Sequence, residues 1–392
     1  MEIARKDYLD LLSASRDMPR TVKVLIGMRR TGKTTIMNQF MRIITDDTDE
    51  GNIFHIDLDL AFDKISVEEL RNMMQPVLDA KGMHYIFLDE IQNVDEWERL
   101  VAMLVARGDC DIYITGSSSK MLSSELSTKL SGRYIEIEVF PFSFKEYMEL
   151  RPGDRTERFS EYLRYGAIPA VDPDRGEVMC RHQLEGIYNT VMMKDVLTHI
   201  NGEARRLKAI SRFLFSNIAN MTSTHSIAVG TSIPDETVGR YIDAMTSAFL
   251  FHHAERYDIV GKKVFDSKGK YYATDLGIRH TILNDTETID ISRPIENIVY
   301  LELLRRGKRV YVGSYRDKEV DFTAFDADGV EYYQVTQSMM DETTRERETS
   351  SLMKIDDNFP KTVLTLDVFG LGTYNGIKVV NLIDWLLDRC AL

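Results

Sequence analysis

The stretch Gly27-Met28-Arg29-Arg30-Thr31-Gly32-Lys33-Thr34 decides the fold of this chain. It matches the pattern GxxxxGK[ST] of a phosphate-binding loop, and it lies between the apolar run 21–26 and a segment with helical periodicity. In that context the glycines let backbone N–H groups surround a phosphate, and the start of the helix adds a favourable dipole. The alternative is an ordinary strand-to-helix turn that matches by chance. The context favours a nucleotide site.

The residues of this loop have distinct expected roles. Lys33 is expected to reach the β- and γ-phosphates, and the hydroxyl of Thr34 to ligate Mg²⁺. Further nucleotide contacts are expected from neighbouring residues of the loop and the helix, namely Gly27, Arg30, Thr31, Gly32 and Thr35.

A second apolar run ends in two acids, Tyr85-Ile86-Phe87-Leu88-Asp89-Glu90. Asp89 is expected to hold Mg²⁺ directly or through water, and Glu90 to polarise the attacking water as general base. The alternative is that both acids cap a following turn. Combined with the phosphate loop, the pair indicates nucleotide hydrolysis rather than a small-molecule kinase, which usually needs no such carboxylate.

Two later segments carry further candidates for catalysis. Residues 111–115 run into Gly116-Ser117-Ser118-Ser119, where Ser117 is the candidate to contact the γ-phosphate or to orient the water. A hydroxyl-rich cap for a helix from Lys120 explains these serines equally well. Arg133 precedes the next strand and is a candidate to stabilise the transferring phosphoryl group, in cis or on a neighbouring subunit. A surface arginine is the more common explanation.

The order of predicted elements indicates an α/β fold in four segments. Residues 1–150 alternate short apolar runs with amphipathic ones, which is typical of a P-loop NTPase domain with a parallel sheet. Residues 151–202 are predicted to form a helical linker or lid. Residues 203–290 combine helices with a hairpin around Ser267-Lys268-Gly269, the outline of a winged helix. Residues 291–392 predict a small α/β domain.

Within the first segment, both types of element have recognisable limits. The predicted strands are 21–26, 53–58, 85–88, 112–115 and 134–139. Two predicted helices, 67–80 and 97–107, have Ser66 and Asp95 as candidate caps.

These motifs resemble a family of bacterial and archaeal AAA-type ATPases that pair an N-terminal P-loop domain with a C-terminal domain of unknown function. The resemblance covers most of the chain. It rests on Gly-Met-Arg-Arg-Thr-Gly-Lys-Thr-Thr (27–35), Phe-Leu-Asp-Glu-Ile-Gln (87–92), Ile-Thr-Gly-Ser-Ser-Ser (114–119), Ser-Gly-Arg (131–133), Pro-Phe-Ser-Phe-Lys-Glu-Tyr (141–147), Tyr-Leu-Arg-Tyr-Gly-Ala-Ile-Pro (162–169) and Lys-Asp-Val-Leu (194–197). It implies ATP as the nucleotide, and the lack of a guanine-selecting Asn-Lys-x-Asp sequence agrees with adenine.

The resemblance also implies a C-terminal domain similar to restriction-endonuclease cores of the PD-(D/E)xK type. Such a core needs carboxylates on successive elements to hold Mg²⁺ and a lysine to assist the attacking water. This chain offers Glu296 or Glu302 on a helix and Asp321 on a strand, but the third element is Gln334-Val335-Thr336. Since Gln334 has no negative charge and Thr336 no cation, we expect the fold without nuclease activity.

Charge limits the possible partners of the chain. The net charge of −13 repels nucleic acid as a whole, so any DNA contact must come from a local patch. Residues 203–285 carry eleven basic and nine acidic side chains, and the lysines at 262, 263, 268 and 270 cluster around the predicted hairpin. The predicted recognition helix 236–248 contributes only Arg240. Duplex DNA is therefore one candidate partner, and a protein or a second copy of the chain is the other.

The cysteines and the hydropathy pattern indicate a compartment. Cys110, Cys180 and Cys390 lie far apart and form neither a disulfide framework nor a CxxC half-site, which favours a reducing cytoplasm. The sequence shows no signal peptide and no membrane span, so no membrane partner is expected. The leading hypothesis is a Mg²⁺-dependent ATPase that couples its nucleotide state to C-terminal interaction modules. The alternatives are an ATP-controlled DNA-binding regulator and, third, a nuclease.

Overall fold

The computed structural model describes residues 3–59, 65–122, 130, 132–200, 202–284, 291–316 and 318–387. They form two compact units. One comprises Met1–Pro141 with Ser247–Phe249, and the other comprises Phe142–Thr246 with Leu250–Leu392. Sequence interpretations that involve Ser131, Asp285 and Cys390 lie outside the described residues.

The first unit is built on a five-stranded parallel sheet in the order β2-β3-β4-β1-β5. The strands are Val22–Ile26 (β1), Ile53–Asp57 (β2), His84–Asp89 (β3), Cys110–Gly116 (β4) and Tyr134–Glu138 (β5). Strands β1, β3 and β4 are buried along their whole length, as expected for a parallel sheet covered on both faces, and they are mostly apolar. Lys23 of β1 and Asp111 of β4 are fully buried exceptions that form an ion pair with each other. All five predicted strands are confirmed, with ends shifted by at most two residues.

Four helices of this unit are Lys6–Ala14 (α1), Lys33–Thr45 (α2), Val67–Leu78 (α3) and Trp97–Arg107 (α4). Ser66 caps α3 in a reciprocal capping box with Glu69, which confirms that prediction. The predicted cap of α4 is wrong. The N-cap there is Glu96, in the left-handed region at φ 60°, and Asp95 stands one residue too early for that position.

The apolar face of α2 packs on the sheet and fixes the start of the helix. Phe40 and Phe87 lie against the two sides of the buried Tyr113 ring, with ring centres 5.2 and 4.9 Å from it. Because the strands are parallel, the carboxyl ends of β1, β3 and β4 meet at one edge of the sheet. The phosphate-loop sequence, the acidic pair and the serine run all follow those strand ends.

The second unit contains ten helices among its described residues. They are Phe144–Leu150 (α5), Arg155–Tyr165 (α6), Glu177–Thr190 (α7), Ala204–Ser216 (α8), Thr224–Thr231 (α9), Asp235–Ser247 (α10), Leu276–Leu283 (α11), Ser292–Arg305 (α12), Glu342–Met353 (α13) and Leu382–Leu387 (α14). The turn Val191–Val196 continues α7 as a π-helix. None of the helices in the described part of the chain is long and apolar enough to cross a bilayer.

A nine-stranded mixed sheet runs through the second unit in the order β13-β14-β12-β11-β10-β9-β7-β8-β6. Its strands are Met221–Thr222 (β6), Phe251–Asp258 (β7), Lys263–Ala273 (β8), Arg309–Tyr315 (β9), Lys318–Phe325 (β10), Val330–Thr336 (β11), Lys361–Thr365 (β12), Gly372–Tyr374 (β13) and Ile377–Asn381 (β14). Strand β7 pairs in parallel with β9, so the hairpin and the C-terminal strands share one sheet. Domain boundaries at residues 150, 202 and 290 stay predictions.

The hairpin does not turn where the sequence predicted. Ser267-Lys268-Gly269 lies inside β8, and the chain reverses instead between β7 and β8, where Lys262 has φ 51°. The prediction placed the turn at Gly269, but this glycine instead allows two strands to approach closely. A Cβ on Gly269 would lie 2.4 Å from the carbonyl oxygen of Ala254, next to a register shift after Glu255.

Candidate functional site

The phosphate-binding loop has the backbone that its glycines permit. Gly27 follows β1 at φ 145°, and a Cβ there would lie 2.4 Å from the carbonyl oxygen of Val139. Gly32 is the left-handed N-cap of α2 at φ 96°. The buried hydroxyl of Thr31 donates to the carbonyl oxygen of Met28, 2.9 Å away, and closes the loop on itself. The loop therefore presents the N-terminus of α2 to the edge of the sheet.

Lys33 lies inside this loop. Its ammonium group donates to the carbonyl oxygens of Gly27 and Met28, at 3.1 and 3.2 Å, and its side chain is 3% exposed. The Nζ atom is also 3.6 Å from Glu90 Oε1. The structure thus brings together the lysine after β1 and the second acid after β3, as the sequence interpretation requires.

Asp89 is the fully buried end of β3. Thr115 Oγ1, from the neighbouring β4, donates to Asp89 Oδ1. Burial raises the pKa of Asp89, while the hydroxyls of Thr115 and Thr34 lower it, and the net effect is a raised pKa. Asp89 Oδ2 is buried and accepts no hydrogen bond from any residue that the structure describes. This oxygen needs a cation or a donor.

Thr34 and Asp89 fit a Mg²⁺ ion that arrives with a nucleotide. The hydroxyl and the unsatisfied carboxylate oxygen are hard oxygen ligands, which Mg²⁺ prefers. Over the described ranges, the chain has no group of three or more His, Cys, Asp or Glu side chains placed to hold a metal by themselves. The remaining ligands would therefore be phosphate oxygens and water, as is usual for Mg²⁺ at nucleotide sites.

Glu90 is held by both its backbone and its side chain. Its backbone is left-handed, with φ 51°, and its N–H donates to Thr115 Oγ1 at 2.9 Å. Gln92 Nε2 donates to Glu90 Oε2 and lies 3.5 Å from Ser117 Oγ. Ser117 is buried and connected to Glu90 through Gln92. Glu90 is the N-cap residue of the Ile91–Asn93 turn, but its carboxylate does not cap the turn, because it makes no side-chain capping bond.

The other predicted site residues are spread more widely. Arg30 and Thr35 belong to the loop and to α2 but their side chains are exposed, with Arg30 at φ 64°. Arg133 is at the opposite edge of the sheet. Its carbonyl oxygen accepts from the N–H of Val22, at the amino end of β1, whereas Gly27 follows the carboxyl end. The in-cis role predicted for Arg133 is therefore wrong, and only a role on a neighbouring subunit stays as a prediction.

Comparisons with known proteins show the family of the chain. Residues 19–148 match the family described as AAA domain, and residues 156–288 match a domain of unknown function (DUF8612). An uncharacterized protein of Haemophilus influenzae is 33% identical over 98% of this chain and 99% of its own length. The chain belongs to this family of AAA-domain proteins.

The family has archaeal as well as bacterial members. An uncharacterized protein of Methanocaldococcus jannaschii is 29% identical over 90% of this chain and 83% of its own length. Among solved structures, Cdc6p from Pyrobaculum aerophilum covers 72% of this chain and 94% of its own, with 10% identity and a TM-score of 0.32.

Sequence reasoning missed three residues of the AAA-domain site. Gln92 and Thr115 contact the acidic pair, and both lie in stretches that carry the family resemblance. Arg5 has no motif around it. Its buried guanidinium donates to the carbonyl oxygens of Thr31 and Phe140, each at 2.9 Å, and so supports the phosphate loop from outside.

Lys270 does not belong to a free basic patch. Its side chain is 4% exposed, with Nζ 2.8 Å from Glu296 Oε1, 2.7 Å from Glu319 Oε1 and 3.9 Å from Asp321 Oδ1. Burial lowers the pKa of Lys270, but the three carboxylates outweigh burial and raise it. The expectation that Lys270 contacts DNA phosphates is therefore wrong. Exposed lysines remain on this hairpin at Lys262, Lys263 and Lys268.

The two helix acids considered for a nuclease core have different surroundings. Glu296 contacts Lys270, whereas Glu302 contacts Arg305 and Arg306. Asp321 on β10 accepts from the N–H of Val335 on β11, so these two strands hold Asp321 next to the segment Gln334-Val335-Thr336. Gln334 donates to Glu348. The loss of nuclease activity stays a prediction.

Proposed function

We propose that this chain is a Mg²⁺-dependent ATPase that hydrolyses ATP to ADP and phosphate. The observation that supports it best is the 3.6 Å separation of Lys33 Nζ and Glu90 Oε1. A lysine that binds the γ-phosphate and an acid that activates water must face the same phosphorus atom, so they must lie close together.

Each part of the site has a step to perform. The loop N–H groups and Lys33 bind the β- and γ-phosphates, and Thr34 with Asp89 would hold Mg²⁺, which supplies charge neutralisation when bound. Glu90 accepts a proton as the water oxygen attacks the γ-phosphorus. The bond from that phosphorus to the β–γ bridging oxygen breaks, and its electron pair stays on ADP. Ser117, which is connected to Glu90 through Gln92, would sense the γ-phosphate.

The nucleotide state would be passed on to the C-terminal interaction modules. A second candidate function, ATP-controlled binding of duplex DNA, is favoured by the exposed lysines at 262, 263 and 268 on the β7–β8 hairpin. Helix α10, which precedes the hairpin, adds the exposed Arg240. Phosphate contacts of this kind bind DNA without reading its sequence. A protein partner or a second copy of the chain, which could supply Arg133 in trans, is the alternative effector in a cytoplasmic protein.

Phosphate release from MgATP by wild type and Lys33→Ala, each with and without duplex DNA, tests these functions. We expect release by wild type and at least a tenfold loss in Lys33→Ala. Stimulation by DNA that disappears in the triple variant of Lys262, Lys263 and Lys268 to Ala would support the DNA-coupled function. A rate of phosphate release that is the same with and without DNA would point to a protein effector. Equal release by wild type and Lys33→Ala would refute the ATPase proposal.

A further inference from the structure

We propose that Gln92 is a positioning residue for hydrolysis: its side-chain amide holds the Glu90 carboxylate in the orientation that accepts a proton from the attacking water. This inference rests on the proposed ATPase function and adds a residue to the same site. Gln92 lies two residues after Glu90, a spacing at which side chains of a regular helix do not face each other.

The local backbone makes the contact possible. Glu90 adopts the left-handed region at φ 51°, which is uncommon for a residue other than glycine and marks an over-determined position. The single 3₁₀ turn Ile91–Asn93 then brings Gln92 back over the acid. Thr115 fixes the start of this turn, since its Oγ1 accepts from the Glu90 N–H at 2.9 Å.

The two carboxylate oxygens of Glu90 have different neighbours. Oε2 accepts from Gln92 Nε2, and Oε1 lies 3.6 Å from Lys33 Nζ on the phosphate side. Gln92 therefore occupies one oxygen and leaves the other directed to the place where hydrolysis would occur. A clamp that withdrew Glu90 from the phosphates would instead separate it from Lys33. The geometry favours positioning over inhibition.

The carbonyl oxygen of the Gln92 amide also points to a partner. Gln92 Oε1 is buried and accepts no hydrogen bond from the described residues, and such an oxygen calls for a donor. A water bound beside Glu90 is a donor of the right kind. Gly116 at the end of β4 lets Gln92 and Met121 pack closely against that strand, because a Cβ there would lie 2.8 Å from Gln92 Oε1 and 1.6 Å from Met121 Sδ.

The catalytic step explains why the carboxylate needs to be held. The water oxygen forms its bond to the γ-phosphorus while a proton passes to Glu90, and ADP leaves with the electron pair of the broken bond. A general base acts only when its oxygen lies within hydrogen-bond reach of that proton. A glutamate side chain free to rotate would spend much of its time outside that geometry. Gln92 should therefore affect turnover and leave ATP binding almost unchanged.

The variant Gln92→Met keeps the length of the side chain and removes both amide atoms. We expect kcat for ATP hydrolysis to fall about 10- to 100-fold, which reaches only the lower end of the about 10²- to 10⁴-fold that general-base catalysis contributes. The dissociation constant of the protein for a fluorescent ATP analogue, measured with Mg²⁺ present, should stay within about twofold of the wild-type value. The matched control is Gln75→Met, since Gln75 also donates to a carboxylate, Asp79 at 2.7 Å, but on the exposed face of α3. It should leave kcat unchanged.

A double-mutant cycle with Glu90→Gln tests whether Gln92 acts through Glu90. The variant with both changes should be no slower than Glu90→Gln alone. Multiplied losses, or a kcat of Gln92→Met equal to or above wild type, would overturn the positioning role. If thermal unfolding shows that Gln92→Met is unstable, Gln92→Ala replaces it in the cycle. If wild type releases no more phosphate than Lys33→Ala, the ATPase proposal and this inference are both refuted. If wild type is active and Gln92→Met is equally active, only the inference is refuted.

Discussion

The hydroxyl of Thr115 donates to Asp89 Oδ1, so the end of β4 fixes the acid at the end of β3. Thr115 Oγ1 also accepts from the N–H of Glu90 at 2.9 Å. One side chain thereby orients the predicted metal ligand and the backbone of the predicted base. Two neighbouring parallel strands are required for this arrangement, since neither strand alone brings a hydroxyl to the acidic pair.

Thr115→Val should raise the Mg²⁺ concentration that ATP hydrolysis requires, and the size of the increase should depend on pH. The valine keeps the shape but removes the hydrogen bond that lowers the pKa of Asp89, so the pKa rises further. A larger protonated fraction of Asp89 should raise the Mg²⁺ concentration for half-maximal ATPase activity, and more at pH 5.5 than at pH 8. Thr115→Ser, which retains the hydroxyl, is the control. An identical Mg²⁺ dependence in both variants at both pH values would contradict the role of Thr115.

Lys270→Met should destabilise the second unit. It leaves Glu296 and Asp321 buried without their cation, and removing one partner of a buried ion pair costs about 3–5 kcal/mol. Lys268→Met, at an exposed position of the same strand, should change the free energy of unfolding by less than about 0.5 kcal/mol. Urea denaturation of both variants measures the difference. A Lys270→Met chain as stable as Lys268→Met would show that the carboxylates are not held by Lys270.

The sequence was sufficient for the parts of the site that are local. The phosphate loop and the acidic pair each follow an apolar run directly, and parallel strands place such ends at one edge of the sheet. The same rule applies to Arg133. A residue before a parallel strand lies at the opposite edge from Gly27, so the parallel sheet already argued against its in-cis role.

Other features depend on contacts that no pattern encodes. The Gln92 contact requires the left-handed backbone of Glu90, which becomes defined only when Thr115 from another strand binds its N–H. The sequence indicated a basic surface residue at Lys270 because its partners Glu296 and Glu319 come from distant elements. Its burial follows from the pairing of the hairpin with the C-terminal strands, which periodicity within one segment cannot show.

Gly27→Ala should weaken nucleotide binding without unfolding the chain. The added methyl would lie 2.4 Å from the carbonyl oxygen of Val139, and the φ of 145° is strained for any residue with a Cβ. The loop must therefore move, and we expect at least a tenfold weaker binding of a fluorescent ATP analogue. Gly186→Ala is the control, because it lies inside α7 with open space around its Cβ position. That change should stabilise the fold by about 0.5–1 kcal/mol. Unaltered binding by Gly27→Ala would mean that the loop does not hold phosphate.

Asp275 should make the stability of the second unit depend on pH in an unusual direction. Burial raises the pKa of Asp275 to about 6, although it accepts from the N–H groups of Ala167 at 2.7 Å and Ile278 at 3.1 Å. The folded chain binds this proton more tightly than the unfolded chain, whose Asp275 titrates near 3.8. The linked contribution to stability is therefore complete below about pH 4 and is lost as the pH rises through about 6.

The variant Asp275→Asn isolates this contribution, since every other titrating group is common to both chains. The amide that replaces the carboxyl group has a single accepting oxygen and cannot match both N–H donors, so the variant is expected to be less stable than wild type at low pH. The informative quantity is the change with pH in the free energy of unfolding of wild type relative to the variant. Between about pH 3 and about pH 7 the stability of wild type relative to the variant should fall by about 3 kcal/mol, because the pKa of Asp275 differs by about 2 units between the folded and unfolded chains and each unit corresponds to about 1.4 kcal/mol. Urea denaturation across this range measures it, and parallel curves for the two chains would show that Asp275 titrates alike in the folded and unfolded states.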